Sequence, residues 1–69
     1  MNYYKIFQKQ ELSTIDWSLF RQMVIWKLDQ SEFCLEFKNE PEDKTDVLNQ
    51  YEARQYTRQE GWVAYEPIN

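Results

Sequence analysis

Apolar residues occupy every second position on either side of Asp29–Glu32: Val24, Trp26 and Leu28 before it, Phe33, Leu35 and Phe37 after it. A period of two marks strands that bury one face, and a short polar segment between two such runs predicts a hairpin. In a matched register Leu28 opposes Phe33, Trp26 opposes Leu35 and Val24 opposes Phe37, so all six share one buried face. The other face carries Ile25, Lys27, Cys34 and Glu36, with Lys27 diagonal to Glu36. That face is mixed and is expected to be the wetter one.

Upstream the period changes. Leu12, Ile15, Leu19, Met23 and Trp26 recur at helical spacing, which one long helix would also satisfy. Ser13 followed by Asp16 resembles a capping box and places a helix from about Ser13 to Gln22. The β-branched and aromatic content of Met23-Val24-Ile25-Trp26 then favours a strand. Downstream, residues 39–46 (NEPEDKTD) read as a loop around Pro41, with Thr45 as the N-cap of a second helix from about Asp46 to Glu60. Asp43 and Asp46 lie near the positive end of that helix, Arg54 and Arg58 near its negative end, and Gly61 is placed as a left-handed C-cap. Its apolar stripe is Val47, Leu48 and Tyr51, with Gln55 at its end. Tyr3–Phe7 and Trp62–Tyr65 read as further strands, the last one stopped by Pro67.

The predicted order is therefore β-α-β-β-α-β, an α+β fold in which about four strands form an antiparallel sheet with both helices packed on one face. At 69 residues the chain makes one small domain, whose core supplies on the order of 3–5 kcal/mol of net stability. Hydrophobic residues are 42% of the chain and aromatics 17%, too many for a disordered acidic segment.

Charge changes the functional picture. Twelve acidic residues against eight basic ones give net −4, which disfavours direct binding to nucleic acid, where cations supply most of the affinity. No apolar run approaches the length of a membrane span and the N-terminus has no leader pattern, so cytosol is the expected compartment. Residues 32–46 hold six acidic and two basic side chains, a local net of −4. Such a field accelerates association with a basic surface and selects among partners.

Candidate chemistry is sparse. The chain has no His, which removes the commonest general base, the commonest metal ligand and the Ser-His and Cys-His pairs. Cys34 has only Lys27 nearby to lower its pKa and reads as an inert strand filler. Glu36, Glu40, Glu42, Asp43 and Asp46 lack the glycine-containing spacing of a calcium loop, so no metal, cofactor or catalytic residue is expected. Trp17, Trp26, Trp62, Tyr3, Tyr4, Tyr51, Tyr56 and Tyr65 outnumber what so small a core can hide, and Tyr and Trp anchor protein interfaces. With Tyr51 aligned to the core stripe, Tyr56 is the expected contact anchor.

These features point to a small cytoplasmic protein without catalytic activity that binds another protein with a basic surface, as a regulator, inhibitor or accessory subunit. Glu36, Glu40, Glu42, Asp43, Asp46 and Tyr56 are its expected partner-binding residues. A homodimer is the other assembly to consider. The alternative is an inhibitor of phage or mobile-element type that presents carboxylates as a nucleic-acid mimic to a host or defence enzyme. Because DNA carries a charge every ~1.7 Å of axis, that role needs an extended acidic array.

Overall fold

The three inner strands of the sheet are rich in aromatic and branched residues, which favour strands. In the computed structural model, which describes residues 2–59 and 62–63, β2 (Phe20–Lys27) and β3 (Glu32–Phe37) form the expected hairpin and β1 (Tyr3–Gln8) flanks it. The strands β4 (Val47–Asn49) and β5 (Trp62–Val63) follow, and helix α1 (Gln50–Gln59) lies between them in the chain. Among the described residues the sheet order is β4-β1-β3-β2-β5, and every neighbouring pair is antiparallel. The architecture is α+β.

The register of the hairpin differs from the matched one. Phe20 opposes Phe37, Gln22 opposes Glu36, Met23 opposes Leu35, Ile25 opposes Cys34 and Trp26 opposes Phe33. Shifts between Phe20 and Gln22, and again between Met23 and Ile25, insert an extra residue into β2 each time. A bulge reverses which face the following residues occupy. Phe20, Met23 and Trp26 therefore lie opposite Phe37, Leu35 and Phe33 on one face, while Gln22 and Ile25 lie opposite Glu36 and Cys34 on the other. Val24 joins the second face, and Leu28 is 72% exposed in the turn.

Both faces are buried, which corrects the expectation of one wet face. On the helix side Tyr4, Val24, Ile25, Cys34 and Ala53 form one core cluster, with Ile6, Leu48 and Trp62 packed against it. On the opposite side Phe7, Phe20 and Leu35 form a second cluster, with Leu12, Ile15, Phe33 and Phe37 around it. Ile25, Cys34 and Leu35 are all 0% exposed. Phe33, Leu35 and Phe37 do share a face, as their alternation requires.

The expected helix from Ser13 to Gln22 does not form. Two 3₁₀ turns, Lys9–Ser13 and Trp17–Leu19, occupy this stretch, and Phe20 already belongs to β2. Local side-chain bonds compete with helix here. Asp16 accepts from the Ser18 N–H at 3.0 Å and from its hydroxyl at 2.6 Å. Glu11 accepts the Gln8 N–H at 2.6 Å, and the Thr14 hydroxyl donates back to the Glu11 carbonyl at 2.8 Å. These short turns carry Leu12 and Ile15 onto the second core cluster. The sheet thus has its helix on one face and 3₁₀ turns on the other, in place of two helices on one face.

The second helix starts later than the sequence suggests. Val47-Leu48-Asn49 pairs with Tyr3–Lys5 as an unforeseen fifth strand, and Asn49 is the cap in place of Thr45. Its side-chain oxygen accepts the Glu52 N–H at 2.8 Å while Glu52 accepts the Asn49 N–H at 3.0 Å, a reciprocal capping box. Helical spacing from this start buries Ala53 and Thr57 and half-buries Tyr56, while Tyr51 points out at 68% exposure. The burial expected for the two tyrosines is therefore exchanged. The expected cap at Gly61, and the strand residues Ala64 and Tyr65 with the stop at Pro67, lie outside the described residues.

Candidate functional site: an aromatic cleft with an acidic rim

Three strands each send one phenylalanine to the same place on the 3₁₀ face. Phe7 meets Phe20 edge-on at 5.5 Å between ring centroids and 89° between planes. Phe20 in turn lies against Phe37 at 4.5 Å and 36°. Such offset and edge-to-face contacts suit the ring quadrupoles. Above these rings opens a cleft of about 560 Å³. One wall is the 3₁₀ turn with Ile15, Asp16, Ser18 and Leu19; the other is the segment Lys38–Asp43 that leaves β3. The walls are tied together where the Lys38 N–H donates to the Leu19 carbonyl at 3.0 Å.

The rim is acidic. Asp16, Glu40, Glu42 and Asp43 line it, against Lys5 and Lys38. Lys5 is partly engaged by the floor, its Nζ 5.5 Å from the centre of the Phe7 ring, a cation–π distance. Three of the carboxylates are held in place. The Lys44 ammonium donates to Glu40 at 2.9 Å and the Tyr3 hydroxyl donates to it at 3.3 Å. The first of these bonds is the main reason the Glu40 carboxyl titrates below its ordinary range and the Lys44 ammonium above its own. Asp43 accepts the Thr45 N–H at 2.9 Å, which lowers its pKa. The bonds from Ser18, led by its hydroxyl, lower that of Asp16. Asp16, Glu40 and Asp43 consequently stay ionised as pH falls into the usual carboxylate range.

Of the six residues expected to bind a partner, the structure brings Glu40, Glu42 and Asp43 together on this rim. Asp46 is exposed beyond it, in a left-handed conformation with φ 56°. Glu36 lies on the opposite face, 2% exposed, where Gln22 Nε2 donates to it at 2.8 Å and Arg21 Nη1 approaches to 3.7 Å. A buried carboxylate held this way stabilises the sheet only with its partners in place, and it is not available for docking. Tyr56 is half-buried on the helix side, its ring 6.1 Å from that of Trp62.

Sequence reasoning missed Asp16, Leu19 and the three phenylalanines as neighbours of the acidic loop. The Asp16-Trp17-Ser18 spacing carried a legible signal, since Asp two residues before Ser favours a local turn. Nothing local connects Phe7, Phe20 and Phe37.

Cys34 is fully buried and its thiol is pushed up to about 12, chiefly by burial and then by the nearby Glu36 charge. The thiolate needed for nucleophilic chemistry is thereby suppressed at neutral pH. Among the described residues no three Cys, Asp or Glu side chains are grouped to hold a metal ion. Nor, among them, is any helix long and apolar enough to cross a membrane. Compared with protein-family models, with curated proteins and with solved structures, the chain matches none of them.

Proposed function

We propose that this chain is a small acidic protein-binding module, a cytoplasmic regulator, inhibitor or accessory subunit that docks on a basic partner and carries out no catalysis. The observation that carries the reading is the convergence of Glu40, Glu42, Asp43 and Asp16 around a cleft floored by Phe7, Phe20 and Phe37, with Leu19 exposed on its wall. Apolar contact in a desolvated centre supplies affinity, and a one-signed rim supplies steering and selectivity. The suppressed Cys34 thiol agrees with a non-catalytic role. The nucleic-acid mimic has less in its favour, because the rim carboxylates gather at one cleft and do not form an extended array.

The test is comparative. Wild-type chain and the triple variant Glu40→Lys, Glu42→Lys, Asp43→Lys serve as baits, and association with the captured partner is followed as salt rises. All three side chains are exposed, so the variant is expected to remain folded. Reversal should slow association by about tenfold or more at low salt. The wild-type affinity should weaken as the Debye length falls from about 10 to about 3 Å. Equal capture by both baits at low salt would reduce the acidic segment to a solvated loop.

A further inference from the structure

We infer that the occupant of the cleft is a linear segment of the partner in which one bulky apolar side chain is followed closely by lysine or arginine. The inference rests on the protein-binding reading above and specifies what that site recognises. The cleft volume, about 560 Å³, falls within the range of roughly 300–1,000 Å³ typical of sites that enclose a small ligand. It accommodates a few side chains and not the face of a folded domain. Its floor is aromatic, and Leu19 on its wall is 54% exposed, so an entering apolar side chain covers surface that water now contacts.

Charge complementarity selects what flanks that side chain. Four carboxylates line the rim against Lys5 and Lys38, and with Lys44 paired to Glu40 just outside it the excess around the cleft is one negative charge. Lys5 lies over the Phe7 ring and Lys44 is already paired with Glu40. Glu42 is exposed and, among the described residues, bonds to no other side chain. It is therefore the carboxylate best placed to take an incoming cation, with Asp43 beside it already oriented by Thr45. An acidic segment would be repelled by the same rim, and a purely basic one would leave Leu19 uncovered above the largely buried phenylalanine floor. The tie between Lys38 and Leu19 holds the two walls at one end of the cleft, so part of the cost of ordering the site is met before binding.

The experiment titrates isotopically labelled full-length chain with three short peptides, followed by amide chemical shifts. One carries Leu-Arg-Arg at its centre, the second has Ser in place of Leu, and the third has Gln in place of both Arg. The first should shift the amides of Phe7, Phe20, Phe37 and residues 38–43, and each of the others should bind at least about tenfold more weakly. Glu42→Lys should weaken the first peptide to a similar degree. If the Ser peptide binds the wild-type chain as tightly as the Leu peptide, recognition is electrostatic alone. The inference then fails while the acidic docking reading stands. Binding of the Leu-Arg-Arg peptide that is unchanged by Glu42→Lys combined with Asp43→Lys removes both. Absence of shifts at these residues at millimolar peptide, or shifts there on concentrating the chain alone, overturns the inference, the latter by assigning the cleft to a second copy.

Discussion

Replacing Ile25 by Val removes one methylene from a residue that a one-sided hairpin would leave on its wet face. In the structure Ile25 is 0% exposed and packs with Tyr4, Val24, Cys34 and Ala53 beneath α1. Deleting a methylene at such a site costs about 0.5–1.5 kcal/mol, part transfer free energy and part residual cavity. On a domain whose total stability is on the order of 3–5 kcal/mol that is a large fraction. A loss of 1 kcal/mol lowers the melting temperature of a chain this size by about 4–8 °C. With a urea dependence of about 1–2 kcal/mol per molar, the same loss moves the midpoint down by about 0.5–1 M. Val keeps the β-branch, so strand preference is unchanged and the effect reports packing. The comparison is Leu28→Ala, which removes far more apolar volume from a side chain 72% exposed and should alter stability by no more than about 0.5 kcal/mol. Parallel urea titrations followed by tryptophan fluorescence measure both. An Ile25→Val chain as stable as wild type, beside a Leu28→Ala chain that loses more than about 1 kcal/mol, would refute the doubly buried sheet and restore the matched hairpin.

Three further outcomes are expected. Cys34 should react with a thiol reagent more slowly in the native state than in denaturant. Because its folded pKa is raised from 9.0 to about 12, its contribution is fully present below pH 9. Between pH 9 and 12 the unfolded thiol ionises while the folded one does not, so stability should fall by up to about 1.4 kcal/mol per pH unit. That slope is the part of the alkaline loss that should disappear in Cys34→Ala. Asn49→Ala should cost about 1 kcal/mol in urea denaturation through loss of the cap, whereas Thr45→Ala, at the cap position the sequence suggested, should stay within about 0.5 kcal/mol. Tyr56→Ala should destabilise by about 1–2 kcal/mol by removing the ring that packs on Trp62, and Tyr51→Ala by less than about 0.5 kcal/mol, both read from melting curves.

Local chemistry by itself determined a good part of this protein. Alternation placed Phe33, Leu35 and Phe37 on one face of a strand, and the apolar runs at Tyr3–Phe7 and Val24–Leu28 marked its neighbours, because side chains of a strand alternate whatever it pairs with. Pro41 and the density of Asp, Glu and Asn between β3 and β4 made the acidic loop legible, because such residues favour turns over regular structure, and with it Glu40, Glu42 and Asp43. What pairing decides was not legible. Phe20, Met23 and Trp26 are three residues apart because two bulges reset the alternation of β2, and a spacing of three reads as helix in a single sequence. Only the partners Phe37, Leu35 and Phe33 distinguish the two cases. Likewise Val47-Leu48-Asn49 has the composition of a first helical turn, and its pairing with Tyr3–Lys5 moved the cap to Asn49 and exchanged Tyr51 for Tyr56 on the buried stripe. The cleft belongs wholly to the tertiary structure: its floor needs one ring from each of three strands and its rim joins Asp16 to Glu40, Glu42 and Asp43. A pattern along the chain records how each segment divides its own faces between core and water, whereas a site assembled from distant segments exists only once register has set which faces meet.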